Sequence, residues 1–133
     1  MSVGLLILTH DSIGETLYNT AIDVIGSATL PTRVLVACMD CNTDEMLEQV
    51  RSTLQKLNDG EGVLILTDMY GATPSNIVSE LLNPERVLVS GVNLPMLVRV
   101  MNYPGLKLND LAEKAVSGGQ DGILALTAGG TEK

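Results

Sequence analysis

Four short apolar runs, each followed by a stretch that is apolar only at helical spacing, constrain this chain more than any other feature. The runs are "VGLLILT" (Val3–Thr9), "RVLVAC" (Arg33–Cys38), "GVLILTD" (Gly62–Asp68) and "RVLVSG" (Arg86–Gly91). A strand apolar on both faces belongs inside a covered sheet, where parallel strands are joined by crossover helices. Between the runs, Ile13, Leu17, Ala21, Val24 and Ile25 recur with helical period, and Gly26 marks the stop. Leu47, Val50, Leu54 and Leu57 form the apolar face of a second helix, with Thr43 or Asp44 as its expected cap; Ile77, Val78, Leu81 and Leu82 form a third. Two further helical stretches, Pro95–Met101 and Leu108–Val116, precede a last short run, "GILALT" (Gly122–Thr127). With right-handed crossovers this pattern is an open, doubly wound α/β domain. It is expected to have a single sheet of four parallel strands with helices on both faces. A short C-terminal strand should lie antiparallel at an edge. The domain should span residues 1–127, leaving 128–133 as a short tail.

A length of 133 residues suits one such domain, and the absence of Phe and Trp makes its core aliphatic. Eight basic against sixteen acidic residues, net charge −8, exclude a nucleic-acid binder, which needs clustered Lys and Arg. The first apolar stretch is too short for a signal-peptide core, and nothing approaches the ~20 apolar residues of a membrane helix. The expected compartment is the cytoplasm. Cys38 and Cys41 form a single "CMDC". One C-x-x-C cannot close a four-ligand zinc site, and a redox motif wants its first Cys at a helix start rather than at a strand end. Loop cysteines are the expectation, with no metal and no cofactor.

In a doubly wound sheet, ligands sit beyond the carboxyl ends of the strands. Three loops lie there: "THDS", "TDMYGATPSN" and "SGVNLP". The first holds His10, the only histidine of the chain, and the second opens with Asp68. A carboxylate on one ring nitrogen fixes the tautomer of an imidazole and leaves the other nitrogen's lone pair free. Asp68 can play that part if its strand neighbours the first. In "GATPSN", Gly71 permits an unusual backbone, Thr73 can cap a helix and Pro74 suits the first turn. The N–H groups around Gly71, Ala72, Thr73 and Ser75, with the Thr73 hydroxyl, then form a candidate phosphoryl site. Taken together these residues describe a place to hold phosphoryl on a histidine. No P-loop, G-x-G-x-x-G or G-x-S-x-G occurs, which argues against a nucleotide P-loop, a Rossmann cofactor and the usual serine hydrolase.

"GLLILTH", "GVLILTDMYGATPSN" and "GVNLPML", in that order, resemble the enzyme IIA domain of the mannose-type sugar phosphotransferase system over about residues 1 to 126. The resemblance implies a phosphotransferase whose catalytic residues are His10, Asp68 and Thr73. It implies that His10 takes phosphoryl from the histidine phosphocarrier protein HPr and passes it to a IIB domain or protein. It also implies a homodimer formed through the C-terminal strand, and contact with a membrane only indirectly, through a IIC/IID permease. Where the family often has Trp-Gly-Gly after the aspartate, this chain has Tyr70-Gly71-Ala72. No IIB domain is expected after Leu126, so both sugar uptake and a stand-alone regulatory relay fit. A non-catalytic sensor or binding module of the same fold is the alternative.

Overall fold

The first apolar run becomes β1 (Gly4–His10), on which Leu5, Leu6, Ile7 and Leu8 are fully buried. Burial of each such side chain stabilises the fold by about 1.5–3 kcal/mol, so this strand belongs at the centre. In the computed structural model, β1 pairs in parallel with β2 (Thr32–Ala37) on one side and β3 (Val63–Thr67) on the other. β4 (Arg86–Ser90) pairs in parallel with β3, giving the order β2-β1-β3-β4. The structure describes residues 2–37, 42–71 and 73–132, with the backbone alone for residues 73, 74, 131 and 132.

Alternate side chains of the central strands feed two cores. Leu5, Ile7, Leu64 and Leu66 pack with α1 (Ile13–Ile25), α4 (Leu94–Met101) and α5 (Leu108–Asp121). Leu6, Leu8, Val63 and Ile65 pack with α2 (Thr43–Leu57) and α3 (Thr73–Ser79) on the opposite face. The expected four parallel strands with helices on both faces are therefore present. The chain leaves β1 for β2 and then crosses back to β3, so strand order reverses beside β1. On the first face, Gly118 lets α5 approach α4 closely: a Cβ there would lie 2.5 Å from Cβ of Arg99.

Local expectations fared unevenly. Gly26 ends α1 in the left-handed region, φ 101, as its position suggested. The cap of α2 is Asn42, not Thr43 or Asp44: its side-chain oxygen accepts from the Asp44 N–H at 2.8 Å. The extended backbone of Asn42 suits the cap, whereas Thr43 and Asp44 are already helical. The third helix stops at Ser79, short of Leu81 and Leu82. The C-terminal strand also departs from expectation. Only Ala125–Thr127 forms β5, and it pairs antiparallel with β6 (Gly130–Glu132) rather than with the main sheet. Gly130–Glu132, within the expected short tail, thus turn back to pair with β5 locally.

Candidate functional site

The end of β1 is held from both sides. Thr9 is fully buried; its hydroxyl donates to the His10 carbonyl at 3.1 Å and accepts from the Gly14 N–H at 2.8 Å. One side chain thereby ties the strand end to the first turn of α1. His10 in turn donates its backbone N–H to Asp68 Oδ2 at 3.2 Å. The ring nitrogen Nδ1 lies 2.9 Å from the same oxygen. The other carboxylate oxygen, Oδ1, accepts from the Met69 N–H at 3.1 Å. Adjacency of β1 and β3 makes this possible, because Asp68 follows directly on the strand that pairs with β1. The two predicted partners are brought together as the sequence suggested.

Burial alone would push the Asp68 carboxyl up. The hydrogen bonds from the His10 ring, from its backbone N–H and from Asp68's own backbone more than offset this, so the carboxyl is held below its ordinary value. An ionised Asp68 only accepts hydrogen bonds, so the proton between the two groups sits on Nδ1. The Nε2 lone pair is left free. With side-chain exposures of 28% for His10 and 15% for Asp68, the ring is open to an incoming group while its orienting partner is shielded.

The loop after Asp68 is braced internally. Gly71 adopts φ +83, a conformation that costs glycine nothing and lets the chain turn into α3. Its N–H donates to Ser75 Oγ at 2.8 Å, and Ser75 Oγ donates to the Met69 carbonyl at 3.3 Å. Ser75 is buried, so in this conformation the Gly71 N–H and the Ser75 hydroxyl are engaged with the loop. The Thr73 side chain, Ala72, Cys38 and Cys41 lie outside the described residues. In the third loop, Asn93 Oδ1 accepts from the Met96 N–H at 2.9 Å and Nδ2 donates to the Gly119 carbonyl at 3.1 Å. That residue fixes α4 against α5. Among the described residues, no three His, Cys, Asp or Glu side chains converge as metal ligands, and no helix is long and apolar enough to cross a membrane.

Thr9 was not singled out from the sequence, although "LTHDS" places a hydroxyl just before the histidine. Thr9→Val keeps the shape but strands the buried Gly14 N–H. An expected loss of about 1–3 kcal/mol in urea unfolding checks the role of that hydroxyl.

Around this geometry, comparisons with known proteins agree. The family described as "PTS system fructose IIA component" matches residues 4–116. The mannose-specific EIIAB component of the phosphotransferase system from Escherichia coli K12 is 30% identical over the whole of this chain. The chain covers 42% of that relative's length. Among solved structures, a mannose/sorbose-specific IIA subunit from Enterococcus faecalis superposes with a TM-score of 0.83 at 19% identity, each chain covered to 96%. A IIA protein associated with the fucose utilization operon of Streptococcus pneumoniae gives 0.79 at 26% identity, covering 94% of this chain and 96% of that one. The chain belongs to the mannose-type enzyme IIA family of the sugar phosphotransferase system.

Proposed function

We propose that the chain, acting in the cytoplasm, accepts phosphoryl from HPr on Nε2 of His10 and passes it to a IIB partner. The observation that carries this reading is the 2.9 Å contact between His10 Nδ1 and Asp68 Oδ2, which leaves Nε2 as the free nucleophile. In the transfer, the Nε2 lone pair forms a P–N bond as the P–N bond of the donor's phosphohistidine breaks. The donor imidazole leaves with the electron pair, and no proton has to move at Nε2. The His10 ring gains positive character, which the Asp68 carboxylate stabilises through the Nδ1 proton. Handing the group to IIB is the same step in reverse, with the partner's side chain as nucleophile.

Exposed Ile13, Val36, Met69 and Tyr70 supply apolar surface at this end of the sheet, suited to excluding water beneath a docked partner. The homodimer implied by the resemblance is supported by two features. Ile123, Leu124 and Leu126 are exposed, and β4 has no strand on its outer side among the described residues. Sedimentation of wild type against Leu126→Asp reads that association; an unchanged molecular mass would remove it.

The transfer itself is tested by intact mass after incubation with phosphoenolpyruvate, enzyme I and HPr. One acid-labile phosphoryl group is expected, and no gain in mass overturns the proposal. Thr73 is proposed to add a hydrogen bond to the phosphoryl oxygens. A hydrogen bond to a charged group contributes about 1.5–3 kcal/mol, so Thr73→Ala should slow transfer by roughly ten- to a hundred-fold. Thr73→Ser keeps the hydroxyl and should stay within a few-fold of wild type. Equal rates for the two variants would remove Thr73 from the site.

A further inference from the structure

Asp11, the residue after His10, is the only non-glycine residue among those described with a left-handed backbone, φ +46. Such a conformation is strained for a residue bearing a Cβ and persists only where the surroundings impose it. Here they do. The Thr9 hydroxyl bridges the His10 carbonyl and the Gly14 N–H, so the chain must reverse between them. Ser12 has φ −88 and ψ 10, and its side chain caps nothing. Glycine at position 11 would make this turn without strain. Aspartate tolerates the left-handed region best when its carboxylate bonds nearby backbone. Asp11 is exposed, however, and none of its side-chain hydrogen bonds or ion pairs is found among the described residues. The side chain that strains this turn therefore makes no hydrogen bond or ion pair with the local fold among the described residues.

We propose that Asp11 tunes the transfer equilibrium: its carboxylate repels the phosphoryl group on His10 and biases the protein toward giving that group away. This rests on His10 being the acceptor. A phosphoryl group brings a charge of about −1.5 to −2 at neutral pH. The two adjacent Cα atoms are about 3.8 Å apart, which keeps the carboxylate in the neighbourhood of the ring. At a separation of roughly 8 Å in a water-like medium, the repulsion corresponds to about a two- to five-fold shift in equilibrium. It is an exposed interaction and so falls with salt. Position 11 also precedes the start of α1, where a negative charge favours a helix N-terminus. That competing role affects stability but not the transfer equilibrium.

The test measures the equilibrium between phosphorylated HPr and the protein, by intact mass, for wild type, Asp11→Asn and Asp11→Gly. Asparagine removes the charge while tolerating the left-handed backbone; glycine removes charge and strain together. Both variants should raise the phosphorylated fraction in equilibrium by about two- to five-fold at low salt, and the gain should largely vanish at about 0.5 M salt. Asp11→Asn at the wild-type value, or a shift with glycine alone, overturns the proposal. Failure of the wild type to take up phosphoryl overturns the acceptor reading instead and this inference with it. A wild type that is loaded normally beside an unshifted Asp11→Asn sinks this inference only.

Discussion

His10→Ala is expected to take up no acid-labile phosphoryl from HPr, while remaining folded. No second imidazole exists to substitute, since the chain has one histidine. The reacting atom itself is removed, so the loss should be complete within detection by intact mass, unlike the graded loss at a supporting residue. The fold should survive because the ring is a terminal ornament of β1, not part of either core. Asp68 keeps the His10 and Met69 backbone N–H groups in the variant. Thermal unfolding should therefore shift by the equivalent of no more than about 1.5–3 kcal/mol, the net value of one hydrogen bond to a charged group. Normal phosphorylation of the variant would move the acceptor elsewhere and end the assignment.

Asp68→Asn should slow phosphoryl transfer by about a hundred- to ten-thousand-fold, the upper figure being the loss when the carboxylate orienting a catalytic imidazole becomes an amide. An amide presents either an oxygen or an NH2 group to Nδ1. The second choice places the proton on Nε2 and blocks the nucleophile, and neither choice offsets the charge that develops on the ring. Rapid-quench transfer rates check this, and a wild-type rate would reduce Asp68 to a loop brace. A second signature is pH. Because the carboxyl is held below its ordinary value in the folded protein, its contribution to stability is present above the unfolded-state value of about 3.9. It is lost as pH falls through the lower folded value. The stability difference between wild type and Asp68→Asn in urea should accordingly narrow as pH falls below about 4.

The sheet and the central pair were readable in the sequence for one physical reason. Runs such as "GLLILT" and "VLILT" are apolar at odd and even positions alike, which only a strand covered on both faces can bury. From that follow the parallel sheet, its covering helices and the placement of His10 and Asp68 at carboxyl ends. Features set by distant or rotational detail were not readable. "GILALT" has the same pattern whether it lies on a sheet edge or stands exposed in a hairpin, because its partner is decided outside the run. The α2 cap hinged on the backbone angles of Asn42, which composition does not encode. Nothing in "GATPSN" says that the Ser75 hydroxyl accepts from the Gly71 N–H, four residues back, and so braces the loop. In "THDS", nothing distinguishes a left-handed Asp11 from an ordinary helix-start aspartate.

The insertion of β3 beside β1 has a consequence in time as well as space. His10 and the carboxylate that orients it are 58 residues apart in the chain. Contacts this remote form late, since the intervening segment must first surrender its conformational freedom. During synthesis, β1 and β2 emerge before β3, and until β3 docks the ring has no Asp68 to set its tautomer. With His10 as the proposed acceptor, the ring is set for transfer only once β3 has docked.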